Sequence, residues 1–321
     1  MARFIVSVDI GGTQIRAALG DGEGNIIHRV AHPTLADQGP EPVIGRIKEA
    51  IRQAAGQHLG EVQAIGMASA GPLDPWEGVI IKAPNLPGWH HVPLKSIIEE
   101  EFGLPTYVGN DANLAALAEQ RFGAGKGTQH LIYITHSTGI GGGIIVDGRM
   151  LLGSKGLGAE VGHIVLDIDG PRCGCGSIGC LEAMAAGPAI ARNALQAIDA
   201  GQETIIPDLV DGDLSRISAK EVSEAAQQGD PLSIELIRQA GELLGIGLVS
   251  LIHLFNPEIV IIGGGVSKAG DLLFEPVRAA VRARCMDESY WRDTPIVPAA
   301  LGDDVGLMGG IALVLSQKEC A

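Results

Sequence analysis

The chain of 321 residues is short of basic residues and has no cluster of them. It carries 38 acidic residues against 23 lysines and arginines, which gives a formal net charge of −15. Proteins that bind a nucleic acid or an anionic membrane hold the phosphates with clustered lysine and arginine side chains. The charge balance therefore argues against both partners. Backbone amide groups can still hold a phosphorylated small molecule.

The sequence also lacks a long apolar run and the features of a signal peptide. No apolar stretch reaches the roughly 18 residues of a membrane span, and the longest candidate, residues 243–255, contains His253. The start of the chain shows neither a basic segment nor an apolar core of the secretory type. We therefore expect a cytoplasmic protein with no membrane partner. Its hydrophobic content of 46% indicates a well-buried globular fold.

Cysteine is rare, but three of the five cysteines fall within a short run. Cys173, Cys175 and Cys180 are separated by glycines that let the backbone turn sharply, and His163 lies shortly upstream. One histidine and three cysteines complete a tetrahedral Zn²⁺ site with no open position, which is the structural pattern. A disulfide cluster is the alternative, and the expected cytoplasmic compartment argues against it.

Two glutamates flank this zinc segment. Glu160 lies just before His163, and Glu182 lies just after Cys180. Groups around a closed metal site are held in fixed positions. We therefore expect Glu160, His163 and Glu182 to form a preorganised polar binding site.

The 46 glycines gather in discrete loops that follow apolar strands. A strand ending on Asp9 leads into a turn at residues 10–13 and a return strand. A second strand leads into residues 137–143, a return strand and an Asp147-Gly148 hairpin turn. This pattern predicts an internal duplication, with one copy in each of two α/β domains. Two such turns facing each other across a cleft would suit a polyphosphate, whereas the alternative is that the glycines only serve hairpins.

A third glycine turn, residues 263–265, follows another buried strand. Three turns after apolar strands suit contacts to phosphates at two points and to a flat base at the third. Asp9, at the end of its strand, is placed to hold Mg²⁺ through water, since this cation prefers carboxylate and phosphate oxygens.

Asn110 and Asp111 lie where a predicted strand gives way to a helix, the usual ligand site of an α/β sheet. A helix N-cap is the alternative, because asparagine and aspartate cap helices routinely. Beside a phosphate clamp and the polar cluster at Glu160, His163 and Glu182, Asp111 is the candidate general base acting on an alcohol.

The alternation of predicted strands and helices indicates an α/β class. Strands are predicted over residues 3–8, 14–19, 26–30, 62–69, 106–108, 131–135, 144–146, 258–262 and 296–301. Helices are predicted over residues 43–58, 94–102, 112–121, 219–228, 232–255 and 305–315. Residues 195–207 and 208–216 are predicted to be loops.

Taken together, these motifs resemble the ROK family of sugar kinases and repressors, most closely its bacterial glucokinases. The resemblance covers essentially the whole chain and rests on Asp9-Ile10-Gly11-Gly12-Thr13, Gly71-Pro72-Leu73-Asp74, Pro84-Asn85-Leu86-Pro87-Gly88-Trp89, Gly109-Asn110-Asp111-Ala112-Asn113, Thr138-Gly139-Ile140-Gly141-Gly142-Gly143, Gly158-Ala159-Glu160-Val161-Gly162-His163 and the cysteine run up to Glu182. It implies a ribonuclease H-like, actin-like ATPase fold of two domains with a cleft between the lobes. It also implies ATP-dependent phosphorylation of a hexose at O6, with glucose the expected substrate.

The resemblance implies a role for each site residue. Asp111 would take the proton from the sugar 6-hydroxyl, and His163 would bind zinc through one ring nitrogen and the sugar through the other. The remaining substrate-binding residues would be Gly71, Asn85, Asn110, Glu160 and Glu182. The nucleotide would be held by Asp9, Gly11, Gly12, Thr13, Thr138 and Gly139 at the phosphates and by Gly264 and Gly265 at the adenosine. The zinc ligands would be His163, Cys173, Cys175 and Cys180.

The implied cofactors are ATP, Mg²⁺ and a structural Zn²⁺. Residues 1–110 plus 302–321 would form a small domain and residues 111–301 a large domain with the zinc segment. A homo-oligomer, either a dimer or a tetramer, is expected.

Several alternatives remain open in the sequence. The preferred hexose could be N-acetylglucosamine, N-acetylmannosamine or mannose, and a sugar-sensing regulator without catalysis is the alternative from another class. Repressors of the family carry a preceding DNA-binding domain, whereas this sequence opens on the first strand. Two departures from the family pattern lie near the phosphates, Gln14 and the pair His136-Ser137. Trp89 either packs on the sugar ring or has a packing or rim role.

Overall fold

The computed structural model describes residues 4–83 and 85–319. Outside these residues lie residues 1–2 and 320–321 of the predicted small domain, Arg3 at the start of the first predicted strand, and Pro84 of the asparagine motif. The strands are β1 Phe4–Ile10, β2 Gln14–Gly20, β3 Ile26–Pro33, β4 Val62–Ser69, β5 Leu73–Asp74, β6 Val79–Lys82, β7 His90–Val92, β8 Thr106–Asn110, β9 Leu131–His136, β10 Ile140–Val146, β11 Arg149–Met150, β12 Ile259–Gly263 and β13 Ile296–Pro298. The α-helices are α1 Pro40–Ala55, α2 Leu94–Phe102, α3 Asp111–Phe122, α4 Leu181–Ala185, α5 Gly187–Asp199, α6 Ile206–Leu209, α7 Ala219–Gln227, α8 Pro231–Phe255, α9 Asp271–Arg284 and α10 Val305–Glu319.

Two five-stranded sheets share one topology. The first has the order β3-β2-β1-β4-β8 and the second the order β11-β10-β9-β12-β13. In each sheet the first three strands of the order are antiparallel neighbours, and the last two run parallel to the central strand. The same order and directions in both sheets confirm the predicted duplication. This is the ribonuclease H-like arrangement of the actin-like ATPases.

Each sheet has its own hydrophobic core. Ile47 and Ile51 of α1 are fully buried in the cluster that includes Val6 and Val8 of β1. This packing follows from the spacing of apolar residues on α1, because side chains four apart lie on one face of a helix. The second sheet is covered by the larger cluster around α8 and α9.

Among the described residues, α8 is the one helix that is long and apolar enough, by length and composition, to cross a membrane. In the fold it packs against α9, α7 and α4, and Leu244, Leu248 and Ile252 are buried. The sequence predicts the buried helix at this position, and the structure confirms it. Its polar residues, such as Glu235 and Arg238, lie on the opposite, solvent-facing side.

Helices α3 and α10 join the two sheets. Helix α10 packs on β1 and β4 of the first sheet, α3 packs on β9 and β10 of the second, and the two helices pack on each other. The backbone of β10 approaches α3 closely, since a Cβ atom at Gly143 would lie 2.6 Å from the Cβ of Ala116. The prediction of a long glycine turn over 137–143 is therefore partly wrong. Residues 140–143 belong to β10, where the missing side chains let α3 lie directly on the strand.

Two further predictions need correction. Residues 195–199 are not a loop but the last part of α5, and residues 206–209 form the short helix α6. Helix α5 begins with Pro188 in its first turn, where proline is well tolerated, and it buries Ile190 and Ala194. The strand predicted over 296–301 ends at Pro298, and the amide of Ala299 makes one more bond to β12 by donating to the carbonyl of Ile262 at 3.0 Å.

Candidate active site

The β1–β2 turn, residues 11–13, lies against the loop that carries Asn85. The amide of Gly11 donates to the carbonyl of Gln14 at 2.9 Å and closes the turn. A Cβ atom at Gly12 would lie only 2.8 Å from the Cβ of Asn85, so glycine is required for this approach. The structure thus brings together a predicted phosphate turn with exposed Thr13 and a predicted sugar-binding asparagine.

Asp9, at the end of β1, is paired with an arginine that the sequence analysis missed. Arg16 Nε donates to Asp9 Oδ2 at 3.0 Å, and Arg16 Nη1 donates to the carbonyl of Asp303 at 2.6 Å. Asp9 and Arg16 are directly opposite in the register of the β1–β2 hairpin. The short turn after β1 is the signal that would have found this pair. Arg16 thus contacts Asp9 through Oδ2.

Asn110 and Asp111 mark the passage from β8 to α3, as predicted. Asn110 is the N-cap, because its Oδ1 accepts from the amides of Ala112 at 3.0 Å and Asn113 at 3.2 Å. Its Nδ2 donates to the carbonyl of Gly71 at 3.4 Å, which ties the Gly71 loop to the start of α3. Asn110 is therefore the helix N-cap, as the alternative interpretation predicts. Asp111 is the first residue of α3.

The carboxyl group of Asp111 has a raised pKa. Burial is the main cause that raises its pKa from 3.8 to about 6, and the nearby carboxylates of Asp9 and Glu160 raise it further. A hydrogen bond from the amide of Ala112, at 2.9 Å, acts in the opposite direction. A carboxylate with a pKa close to neutral is suited to accept a proton from an alcohol.

The β9–β10 turn, residues 137–139, contacts the predicted sugar ligand Glu182. The amide of Ile140 donates to Glu182 Oε2 at 3.0 Å. A Cβ atom at Gly139 would lie 2.6 Å from the same oxygen, so a side chain there would displace the carboxylate. Thr138 at the tip of the turn is exposed. A predicted phosphate turn and a predicted sugar-binding carboxylate are again adjacent.

The third glycine turn packs on the second. Gly263, at the end of β12, lies opposite Thr135 of β9. Gly264 has φ +88°, and a Cβ atom there would lie 2.4 Å from the carbonyl oxygen of His136. Gly264 and Gly265 therefore follow directly beside the β9–β10 turn. A nucleotide whose phosphates contact residues 138–139 would have its base near Gly264 and Gly265.

His163 and the three cysteines converge on one point. One ligand atom from each of His163, Cys173, Cys175 and Cys180 lies within 4.8 Å of all the others. His163 Nδ1 is 3.7 Å from Cys173 Sγ, and the Sγ atoms of Cys175 and Cys180 are 3.8 Å apart. A tetrahedral zinc ion with its usual bond lengths requires about 3.8 Å between two sulfurs and about 3.6 Å between sulfur and nitrogen. The donor set and its dimensions fit zinc.

The zinc segment also fixes the positions of the polar residues beside it. His163 presents Nδ1 to the thiols, so Nε2 remains for another partner. Glu160 is exposed, and its carbonyl accepts from the amide of His163 at 3.1 Å, which fixes one residue relative to the other. Cys180 is the N-cap of the short helix α4, which carries Glu182.

Trp89 is part of the protein interior. Its side chain is only 1% exposed and belongs to the core of the first sheet. The packing alternative for Trp89 is therefore right. His90 and His91, which follow it, are exposed.

Helix α3 carries a buried carboxylate that the sequence motifs do not single out. Glu119 is fully buried, and its Oε1 accepts from the amide of Leu301 at 2.9 Å while its Oε2 accepts from the amide of Ala124 at 2.8 Å. These amides lie on the two chain segments that pass between the sheets. A single glutamate in the apolar run of α3 was the available signal, because a buried carboxylate requires hydrogen-bond donors.

Comparison with known proteins agrees with this geometry. The profile of the ROK family matches residues 5–317. Glucokinases from Thermotoga maritima and Streptomyces coelicolor are 37% and 40% identical to this chain, covering 97% and 96% of it and 96% of each relative. A ROK family glucokinase from Streptomyces griseus, solved in complex with glucose and AMPPNP, is 40% identical with a TM-score of 0.85 and covers 98% of this chain and 99% of its own. The chain belongs to the ROK family.

Proposed function

We propose that this protein is an ATP-dependent glucokinase that transfers the γ-phosphoryl group of ATP to O6 of D-glucose. The observation that carries the proposal is the carboxyl group of Asp111, which has a pKa of about 6 and lies at the start of α3 near the carboxylates of Asp9 and Glu160. The similarity to glucokinases over nearly the whole chain supports the same reaction.

In this reaction Asp111 orients the 6-hydroxyl of glucose and accepts its proton. The O6 lone pair forms the new bond to the γ-phosphorus, the bond between that phosphorus and the β–γ bridging oxygen breaks, and ADP leaves with the bonding electrons. The protein contributes mainly position and charge stabilisation, as in other phosphoryl transfers. The amides of the two turns, around Gly12 and Gly139, are the donors for the phosphate oxygens.

The other hydroxyls of glucose are assigned to side chains around Asp111. Glu160, Glu182 and the free Nε2 of His163 come from the zinc side of the site, and Asn85 comes from the side of the β1–β2 turn. Because Asn110 Oδ1 already caps α3, only its Nδ2 can turn from Gly71 toward the sugar.

Two metal ions belong to the proposal. His163, Cys173, Cys175 and Cys180 would hold a structural zinc. Asp9 Oδ1 is the group that would hold Mg²⁺ through water, and the accumulation of carboxylates at Asp9, Asp111 and Glu160 fits a cation there. When bound, Mg²⁺ supplies positive charge to the phosphate oxygens.

We further propose that residues 1–110 plus 302–321 and residues 111–301 are two lobes that close on the sugar, and that the protein is a cytoplasmic homo-oligomer. Helix α10 packs on the first sheet and α3 on the second, which supports these boundaries, and the two helices pack on each other where the lobes meet. Such a joint would act as a hinge, and closure would exclude water from the phosphoryl group.

Saturating glucose is therefore expected to compact the molecule. Small-angle scattering with and without glucose measures this directly as a decrease in the radius of gyration. Galactose, which differs from glucose only at C4, is the control sugar. A radius of gyration that does not change at saturating glucose would contradict closure.

The pH dependence of the reaction follows from Asp111. Its raised pKa means that the carboxylate predominates above pH 6 and the protonated form, which cannot accept a proton, predominates below. We expect kcat/KM to be constant above about pH 7 and to fall about tenfold per pH unit below pH 5. A profile measured from pH 4.5 to pH 8 would contradict the assignment if it stayed flat to its acid end.

A panel of hexoses with ATP tests the function itself. Turnover would be measured for glucose, mannose, N-acetylglucosamine and N-acetylmannosamine by a coupled assay of ADP release, and inorganic polyphosphate would replace ATP in a second series. We expect glucose with ATP to give the highest kcat/KM. A higher value for another hexose would move the assignment to that sugar, and the absence of turnover with every sugar would favour a sugar-sensing regulator.

A further inference from the structure

The chain segment that follows the zinc ligands is fastened to the β9–β10 turn at three points. Glu182 Oε2 accepts from the amide of Ile140 at 3.0 Å, immediately after the turn. The amide of Gly187 donates to the carbonyl of Ser137 at 2.8 Å, within the turn. His136, immediately before the turn, bonds through Nε2 to the carbonyl of Ala185 at 2.7 Å. The short helix α4 thus spans the distance between Cys180 and the turn.

The bond from His136 has a defined direction. A carbonyl oxygen only accepts, so the proton must be on Nε2, and Nδ1 has no hydrogen-bond partner among the described residues. The side chain is fully buried, and this burial lowers its pKa to about 4. The imidazole therefore stays neutral at physiological pH and remains a fixed donor.

The acceptor of this bond needs a partner. Ala185 is the last residue of α4, and carbonyls in the last turn of a helix have no partner within the helix. Ala185 is buried, so water does not replace the missing donor. His136 satisfies this carbonyl and joins the end of α4 to the end of β9.

We propose that His136 is a positioning residue for the nucleotide, and that α4 couples the zinc segment to the β9–β10 turn. This inference rests on the proposed function, in which that turn holds phosphates of ATP. It assigns to the zinc segment an effect on the nucleotide in addition to the sugar, because Cys180 begins the same helix whose far end is bonded to His136. It also gives a role to one of the two departures from the family pattern.

The test compares two substitutions at the same site. His136→Leu removes the donor and keeps an apolar side chain of similar bulk, whereas His136→Gln offers an amide N–H to the carbonyl of Ala185. Affinity for the non-hydrolysable analogue AMPPNP, measured by calorimetry without sugar, is expected to weaken about 5- to 20-fold in His136→Leu, because a buried carbonyl is left unpaired and the turn must be ordered on binding. His136→Gln should recover most of this loss.

Glucose affinity without nucleotide distinguishes positioning of the nucleotide from general damage. It should stay within about twofold of wild type in His136→Leu. His130→Leu, at the opposite end of β9, is the matched control and should leave both affinities unchanged. Unchanged AMPPNP affinity in His136→Leu, or equal loss of both ligands, would overturn the assignment.

Removal of zinc from the wild-type protein by a chelator tests the coupling without any substitution. The affinity for AMPPNP alone should fall by a factor similar to that in His136→Leu and return when zinc is restored. If chelation weakens glucose binding but leaves AMPPNP affinity unchanged, α4 does not couple the zinc segment to the β9–β10 turn. Zinc-loaded wild-type protein that binds neither ligand would overturn the proposed function itself.

Discussion

Replacing Asp111 with asparagine is expected to lower kcat by about 100-fold or more while glucose affinity stays within a few-fold of wild type. The amide keeps the size of the side chain and can still accept the hydrogen bond from Ala112, but it cannot take a proton from O6. Steady-state kinetics give the loss in kcat, and calorimetry with glucose gives the affinity. Turnover within a few-fold of wild type would mean that Asp111 has only a structural part at the start of α3.

The same variant should be more stable than the wild type at neutral pH. The folded-state pKa of Asp111, about 6, lies above the ordinary value of 3.8, so the charged carboxylate opposes folding wherever it is ionised. Asparagine removes this penalty, which is on the order of 2–3 kcal/mol from the size of the shift. The gain should be complete above pH 6 and should be small at pH 4, where the folded state binds the proton and the unfolded state is close to half protonated. Urea unfolding at pH 7.5 and pH 4 measures it.

Asp147→Asn is the matched control for Asp111→Asn. Asp147 has a largely exposed carboxylate in the hairpin turn after β10, at the end of that strand away from residues 137–139. The same chemical change there should alter neither kcat nor the pH dependence of stability. A gain in stability for both variants would point to net charge rather than to the surroundings of Asp111.

Replacing Cys175 with alanine is expected to release the metal and to remove most of the activity. The wild-type protein should contain one zinc per chain, bound by His163 and three cysteines with no open position. Cys175 is exposed, so its loss disturbs little packing, and the effect should come from the missing ligand. Without zinc, Glu160 and His163 are no longer fixed relative to Glu182.

Elemental analysis and activity are measured on the same preparations. Cys285→Ala removes a thiol outside the cluster and should keep both the metal and the activity. Fully active wild-type protein that contains no metal would contradict the zinc assignment. Full activity of Cys175→Ala would show that the segment holds its shape without the ion.

Local signals in the sequence were sufficient for much of the fold. The apolar strands before the glycine turns predicted the duplication, because alternation and turn chemistry are properties of neighbouring residues. The cluster of His163 and three cysteines was predictable for the same reason, since three of its four residues lie in one short run. The predicted passage from strand to helix at Asn110 and Asp111 agrees with the end of β8 and the start of α3.

Other features depended on contacts between distant parts of the chain. The glycine turn is shorter than predicted because Gly143 belongs to β10 and lies against Ala116 of α3. No local pattern distinguishes a glycine in a turn from a glycine in a strand that packs closely on a helix. Helix α5 was missed in part because its buried face is defined by the elements that cover it. Trp89 could be assigned to the interior only when the first sheet was assembled around it.

The sequence by itself determined the class of the protein, the duplicated unit and the cluster of His163 with three cysteines, and it led to the proposal of Asp111 as the base, since each follows from residue type and short spacing. Only the tertiary structure decided the state of those residues. The pKa of Asp111 is set by burial and by Asp9 and Glu160, which are far away along the chain. The bonds of Glu182 to Ile140, of His136 to Ala185 and of Glu119 to Leu301 likewise join segments that folding alone brings together. Desolvation and hydrogen bonding depend on which groups are close in space, so these effects are established only by the folded structure.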